Sequence, residues 1–288
     1  MTHYRDQFFP NTEELGKDEM RITALGTGRP FLRPSQANAG WLVELGNGDK
    51  FQFDFGYGTQ TNFGALQIPY QTMTAYFATH LHTDHVGDFA QIWIGSWAGG
   101  RTRPLEVYGP SGPVEKYGMK HFVTKQMESY AWDTDTRVGL LPAVGAEVNV
   151  HEFDYSRAHV IYECNGVKVS SFPAVHIYDG AVSLRLDWNG LSFVYSGDTT
   201  PSYFFVENAR DADVVDRFCG ELRALAVFCS GLGCAGFVGA VGGGDRQVQN
   251  ALEVGEAVVA TKAGFIAEEQ QHRRIGHGLG DDGKVHPF

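Results

Sequence analysis

The amino-acid sequence predicts a single globular α+β domain built on one mixed β-sheet or on two packed β-sheets. Much of residues 20–200 consists of short apolar or alternating runs separated by turn-forming residues, which is typical of strands. One of these runs leads directly into a segment with helical periodicity. With 288 residues, of which 43% are hydrophobic, the chain is long and apolar enough to bury a core.

The first three predicted strands cover Arg21 to Leu25, Trp41 to Leu45 and Phe51 to Phe55. The second and third flank Asn47-Gly48, and an Asn-Gly dipeptide adopts the positive φ angles of a tight hairpin turn. We therefore expect these two strands to form an antiparallel hairpin.

The middle of the sequence combines further strands with one helix. Thr74 to Ala78 reads as a buried strand, and the apolar residues of 87–100 fall on one side of a helix, namely Phe89, Ile92, Trp93 and Trp97. Further strands are predicted at 104–110 and 167–176. A second hairpin turns at Asn189-Gly190 and places Asp198 just beyond a strand end, where catalytic groups commonly lie.

Composition restricts the partners and the compartment. A net charge of −11 argues against broad binding to nucleic acid or anionic membranes, which needs clustered Lys and Arg, although it leaves a local basic patch open. The four cysteines have no metal-type or paired spacing, and the N-terminus has no apolar secretory core, so we expect a cytoplasmic protein. The uncharged segment 224–244 is long enough to span a bilayer, but its glycines and missing aromatic belt argue against a span.

Three histidines and an aspartate lie within six residues between the strand at 74–78 and the helix that follows. His80 and His82 are two apart, so in an extended or tightly turned segment both imidazoles can reach one metal ion. Asp84 and His85 lie around the bend, where they can serve a second ion. The alternative, surface histidines with Asp84 capping the helix, is disfavoured by the H-x-H-x-D-H pattern at a strand-helix junction.

The sequence of this cluster, THLHTDH at 79–85, resembles the signature of the metallo-β-lactamase superfamily. LGTGRP at 25–30 and FDFGYGT at 53–59 are similar to two early motifs of its ribonuclease Z, arylsulfatase and phosphodiesterase-like branches. LEVYGPSG at 105–112 resembles the strand and turn after the first helix. PAVH at 173–176 resembles the third-histidine motif, and YSGDT at 195–199 resembles the bridging-aspartate motif. Together these stretches cover residues 20 to about 215.

The resemblance implies an αββα sandwich, in which two mixed β-sheets pack face to face with helices outside and a dinuclear metal centre at one edge. The implied ligands are His80, His82 and His176 for the first ion, Asp84 and His85 for the second, and Asp198 as the bridge between them. Such ligands suit two divalent ions, zinc most of all, with iron or manganese as substitutes. The family's chemistry is hydrolysis by a hydroxide that bridges the ions, with Asp84 as proton acceptor.

Three more residues are candidates for supporting roles. Asp54 ends a strand in FDFG, and in relatives the matching aspartate supports the ligand shell rather than binding metal; turn capping is the alternative. Arg29 and Arg33 lie near the expected mouth of the site, where a guanidinium grips a phosphate, sulfate or carboxylate. Surface solvation is the alternative for both arginines.

The sequence departs from the family pattern after residue 215. Relatives have a strand ending in His-Glu there, whereas this chain has Asp216 and Arg217, and residues 211–288 hold five aromatic residues against 32 in residues 1–210. We predict a metallo-β-lactamase-like domain at 1–215 and an atypical tail at 216–288. A reading-frame change is one hypothesis for this tail, and an intact frame in the coding DNA would remove it.

Within the tail, residues 251–271 read as a helix. His277 is a weak candidate for the final ligand of the second ion, and a solvated polar tail is the alternative.

The motifs leave the substrate open among an RNA 3′ end, a phosphodiester, an aryl sulfate, a lactone and other esters. The acidic charge favours a small ester-like molecule, with neither nucleic acid nor membrane as partner and with a homodimer allowed. The insert from Glu115 to Tyr155 carries aromatic residues that either cap such a substrate or simply pack, namely Tyr117, Phe122, Tyr130, Trp132, Phe153 and Tyr155.

Two other functional classes stay open. If the tail removes the second site, the protein is a mononuclear or metal-poor member of the fold with impaired catalysis. The other class is an RNA 3′-end processing nuclease, but its basic exosite arm and His-Glu motif are missing. A flavodiiron redox protein is disfavoured because His82 stands where that class has an acidic ligand.

Overall fold

A computed structural model describes residues 14–216 and, after them, the backbone of strands 236–238, 257–261 and 264–268. The strands of the first sheet up to residue 153 are β1 (Met20–Gly26), β2 (Gly40–Leu45), β3 (Lys50–Phe53), β4 (Ala75–Phe77), β5 (Leu105–Pro110) and β6 (Val148–Phe153). The second sheet contains β7 (His159–Cys164), β8 (Val167–Pro173), β9 (Val182–Trp188), β10 (Leu191–Tyr195), β11 (Val214–Asp216) and β12 (Gly236–Val238). Strands β13 (Ala257–Thr261) and β14 (Gly264–Glu268) join the first sheet.

Both sheets are mixed. The first has the order β14-β13-β1-β2-β3-β4-β5-β6, and it changes from antiparallel to parallel pairing at β3–β4. The second has the order β12-β11-β10-β9-β8-β7, with antiparallel pairs from β7 to β10 and parallel pairs beyond β10. Both predicted hairpins are confirmed: Trp41 pairs with Phe53 across the first, and Asn189 and Gly190 have φ angles of 51° and 76° in the second.

Helices cover the outer faces of the sheets. They are α1 (Thr59–Ala65), α2 (Thr83–Val86), α3 (Ser96–Ala98), α4 (Met119–Ser129), α5 (Ala131–Arg137) and α6 (Tyr203–Asn208), with a π-helical turn, Gln91–Gly95, before α3. The predicted helix at 87–100 is thus helical but irregular, and its four predicted apolar residues are buried.

The main core lies between the sheets, as a two-sheet sandwich requires. Phe53 of β3 stacks on Phe77 at 5.3 Å and meets Phe193 of β10 edge-on at 5.7 Å. A second core joins the first sheet to the helices from α1 to α4, and a third packs Phe205 of α6 against Phe172 of β8. These layers confirm the predicted αββα sandwich.

The prediction of a helix at 251–271 is wrong. Residues 257–261 and 264–268 form two antiparallel strands, and the first of them pairs with β1. Val258, Val259 and Ile266 are β-branched, and Gly264 begins the second strand, so strand preference outweighs the helical period that the sequence shows. The domain boundary at 215 stays a prediction, although β11 itself pairs with β12 beyond it.

Within the described part of the chain, none of the helices has the length and apolarity needed to cross a bilayer. His277 lies outside the described residues, and so does the uncharged segment 224–244 except for β12.

Candidate metal centre

The candidate ligands meet at one edge of the sandwich because the strands that precede them run in the same direction. Strands β3 and β4 are parallel, so Asp54 and the loop that begins at Thr79 leave the first sheet together. Strands β8 and β10 are both antiparallel to β9, so His176 and Asp198 follow strands that end at the same edge of the second sheet. The Val182 amide donates to the Thr79 carbonyl at 3.0 Å and ties the two edges together.

The first group of ligands consists of His80, His82 and His176, whose ring nitrogens lie within 4.8 Å of one another. His80 Nε2 is 2.9 Å from His82 Nδ1, and His176 Nε2 is 3.2 Å from the same atom. Three imidazole nitrogens that converge on one point fit a metal ion with nitrogen ligands.

The second group lies beside the first and contains His80, His85 and Asp198. Asp198 Oδ1 is 3.3 Å from His85 Nε2, while its Oδ2 is 3.7 Å from His176 Nε2. Asp84 Oδ2 is 3.7 Å from His85 Nε2. The Asp198 carboxylate therefore faces both groups, as a bridging ligand would, and the mixed imidazole and carboxylate donors fit a pair of divalent ions.

Two histidines of the first group, His80 and His176, have pKa values that favour the neutral form, which binds metal. Burial lowers the pKa of His80 well below its usual value, and the neighbouring histidines lower it further. Burial also lowers the pKa of His176, and this effect outweighs that of the Asp198 charge, which raises the pKa. Neutral imidazoles keep a lone pair free for a cation.

His85 has the opposite character because two carboxylates surround it. Burial alone would lower the pKa of His85, but Asp54 and Asp198 outweigh burial and raise that pKa to about 10. Burial acts in the opposite direction on Asp198 and would raise its pKa, yet the hydrogen bond and charge contact with His85 lower that pKa. This position attracts positive charge, which is supplied by either a proton or a metal ion.

Asp54 connects residues of the site through hydrogen bonds to Thr79, His85 and Tyr195. Its carboxylate accepts hydrogen bonds from the Thr79 amide and hydroxyl at 2.8 Å each, and from the Tyr195 hydroxyl at 2.8 Å. Asp54 Oδ2 also lies 2.5 Å from His85 Nδ1, which leaves Nε2 of that ring directed toward the ligand groups. Asp54 is fully buried and has a positive φ of 55°, so the surrounding bonds over-determine a strained backbone.

Two cavities open onto the centre. One, of about 80 Å³, is lined by Arg29, Asp84, His85, Asp198 and Asp216. The other, of about 510 Å³, is lined by His80, His82 and His176 together with residues of the α4 region. Arg33 lies on an exposed turn, in which the Arg33 carbonyl accepts a hydrogen bond from the Gln36 amide.

The aromatic residues that were expected either to cap the substrate or to pack lie in different parts of the structure. Tyr117 and Phe122 line the larger cavity, whereas Phe153 and Tyr155 pack against the core between the sheets. Trp132 is 80% exposed on α5. Packing thus holds for Phe153 and Tyr155, while a cap over the substrate stays a prediction for Tyr117 and Phe122.

Sequence reasoning missed Tyr195 as the partner of Asp54, and it missed three basic residues of the larger cavity, Lys116, His121 and Lys125. A signal for the last two was present, since residues four apart share one face of a helix. No local pattern could show that Tyr195 contacts Asp54, because 141 residues separate the two.

Comparisons with known proteins identify relatives of this chain. The model of the family described as Anti-Pycsar protein Apyc1 matches residues 20–219, more than half of the chain. Curated relatives include ribonuclease Z of Mycobacterium avium, 30% identical over 189 residues, which are 63% of this chain and 64% of that protein. Ribonuclease Z of Mycobacterium marinum is 28% identical over 186 residues, with the same coverage. The chain thus spans less than two thirds of the length of these relatives.

Solved structures share the fold. The metallo-β-lactamase fold protein YhfI from Bacillus subtilis has a TM-score of 0.66 at 14% identity, covering 85% of this chain and 100% of that protein. The short form of human tRNase Z has a TM-score of 0.63 at 18% identity, covering 77% of this chain and 92% of that protein.

These relatives correct one expectation. The prediction that no nucleic acid is a partner is wrong, because curated relatives of this chain are named ribonuclease Z. The inference failed because net charge sums over the whole chain, whereas phosphate binding depends on local charge.

Proposed function

This chain belongs to the family of the anti-Pycsar protein Apyc1 within the metallo-β-lactamase superfamily, and we propose that it is a metal-dependent hydrolase that cleaves phosphodiester bonds of RNA. The observation that carries the proposal is the pair of ligand groups joined by Asp198. An acid-base or nucleophilic site needs no such convergence of imidazole and carboxylate groups, whereas a metal-dependent hydrolase does.

Each ligand has a role in this proposal. His80, His82 and His176 would hold one ion through their ring nitrogens, Asp84 and His85 would hold the other, and Asp198 would contribute its carboxylate to both. Two divalent ions, zinc being the best match for these donors, supply Lewis acidity that generates hydroxide from water near neutral pH and stabilises charge on the attacked phosphate.

The remaining steps belong to the chain itself. Asp54 and Tyr195 orient His85 through the hydrogen bonds described above. The Asp84 carboxylate, which is buried beside His85, accepts the proton of the attacking water. Arg29 lines the smaller cavity, where its guanidinium is placed to grip a phosphate oxygen.

RNA is favoured over aryl sulfates and lactones by two observations. Several relatives are named ribonuclease Z. The larger cavity beside His80 also gathers Lys116, His121 and Lys125 in a chain whose net charge is −11. Aryl sulfates and lactones carry too little negative charge to require three basic groups.

Metal content and RNA hydrolysis, measured on the same preparations, test the proposal. We expect about two zinc ions per chain by elemental mass spectrometry, and cleavage of a single-stranded RNA that stops when the ions are chelated. His80→Ala and Asp198→Ala should abolish hydrolysis while keeping the fold, and His176→Ala should also lower the metal content. His159→Ala is the matched control, because this half-buried histidine lies on β7 and belongs to neither ligand group.

The outcomes separate the rival functions. Full hydrolysis by the His80→Ala or Asp198→Ala variant would refute the ligand assignment. One ion or none in the wild-type protein, without hydrolysis, would favour the metal-poor member of the fold. Cleavage of aryl sulfate or lactone but not of RNA would refute the substrate class.

A further inference from the structure

We infer that the cavity of about 510 Å³ beside the first ligand group is a subsite for a nucleotide unit next to the scissile bond, with Lys116 and Lys125 holding its phosphate. This inference rests on the proposed function, because it takes the substrate to be a single-stranded RNA. It goes further in stating that the substrate carries at least one more phosphate than the one under attack.

The first support is position. The cavity is lined by His80, His82 and His176 and also by residues of the segment from Lys116 to Gln126. A ligand in this cavity therefore contacts the candidate metal centre and the α4 region together. Its volume lies within the roughly 300–1,000 Å³ that is usual for small-ligand pockets, which suits a single nucleotide unit.

The second support is charge. The described lining contains two lysines, Lys116 and Lys125, and the histidine His121, against one carboxylate, Asp179. Lys125 pairs with Glu128 at 2.7 Å, but both side chains are more than half exposed. Exposed pairs of this kind are weak, so a phosphate competes well for the lysine.

The third support is the apolar part of the lining. Tyr117 and Tyr178 line the cavity and meet edge to face, with ring centroids 5.8 Å apart. Both rings are largely exposed, at 44% and 64%. The Lys116 ammonium lies 4.8 Å from the centroid of the Tyr117 ring. Basic groups interleaved with exposed aromatic rings are the usual means of binding single-stranded nucleic acid without sequence preference.

Binding can be measured apart from catalysis. The probe is a fluorescent single-stranded RNA pentanucleotide with phosphorothioate linkages, titrated with the zinc-loaded protein at several salt concentrations. Lys116→Gln and Lys125→Gln should each weaken binding about fivefold, and each should reduce the salt slope by about 0.7. The matched control is Lys120→Gln. Lys120 is exposed on α4, as Lys125 is, but it is absent from the cavity lining, so this substitution should leave both quantities unchanged.

Hydrolysis then separates the subsite from the function. On RNA, the kcat/KM of the two cavity variants should fall about fivefold, while on bis(p-nitrophenyl) phosphate, which has a single phosphate, it should fall by a smaller factor. RNA cleavage with no difference between the cavity variants and Lys120→Gln would overturn the subsite and leave the proposed function standing. Lysine-dependent binding without cleavage of any substrate would leave the subsite standing and refute the function. Absence of RNA binding by the wild type would overturn the subsite.

Discussion

Replacing Tyr195 by phenylalanine removes one hydroxyl from the buried network behind the candidate metal centre. That hydroxyl donates to Asp54 Oδ2 at 2.8 Å, and the tyrosine is only 3% exposed. A hydrogen bond to a charged group contributes about 1.5–3 kcal/mol. Asp54 keeps donors from Thr79 and His85, so we expect a loss near the lower limit, about 1.5–2 kcal/mol.

The loss should appear in two measurements. The midpoint of thermal unfolding should fall by about 3–8 °C for a chain of this size. The affinity for the second zinc ion should fall about 10- to 100-fold by calorimetric titration, because groups that orient metal ligands have effects of that size.

Tyr76→Phe is the matched control. Tyr76 is also a buried tyrosine, but its hydroxyl has no hydrogen-bond partner among the described residues. Removing an unpaired buried hydroxyl should leave stability unchanged or raise it by about 1 kcal/mol, without any effect on zinc binding. Equal stability and equal zinc affinity for the two variants would refute a positioning role for Tyr195.

Three further changes test the packing and the metal dependence of the fold. Gly56→Ala should lower the free energy of unfolding by about 1–3 kcal/mol and reduce zinc content, because a Cβ at this position would lie 1.9 Å from the Asp84 carbonyl oxygen. The control is Gly64→Ala on α1, where a Cβ meets nothing within 4 Å, and this change should be neutral or stabilising. The reverse order of stabilities in urea unfolding would contradict this prediction. Arg101→Met should cost about 3 kcal/mol in urea unfolding, because the buried guanidinium donates to the Gly145 carbonyl and to other acceptors; a loss below about 1 kcal/mol would count against it. Zinc at about 100 times its dissociation constant should stabilise the protein by about 2.7 kcal/mol over the chelated form, and equal thermal midpoints would show that the ions do not bind the native site.

Much of the candidate site could be predicted because its ligands lie in short contiguous motifs. His80, His82, Asp84 and His85 lie within six residues, so strand and helix periodicity alone places them together. The two hairpins were equally local, since an Asn-Gly dipeptide carries its own turn geometry. The metal-ligand roles of His176 and Asp198 were predicted only through the resemblance of their motifs to a family.

Other features depend on contacts between distant segments. His176 Nε2 approaches His82 across 94 residues, and Tyr195 reaches Asp54 across 141. The net charge of −11 gave no indication of the basic cavity, because composition contains no information about which lysines share a surface. The strands at 257–268 contradicted a helical period because pairing with β1 outweighs a weak local preference.

By itself, the sequence determined which residue types bind metal, where strands turn back, and that the chain has a core large enough for two layers of sheet. Only the tertiary structure decided that β8 and β10 end at the edge where β3 and β4 end, and this common edge brings Asp54, His85, His176 and Asp198 together. The physical reason is that side-chain periodicity and turn geometry act over a few residues. The order and direction of strands, in contrast, follow from the burial of both sheet faces by the whole chain.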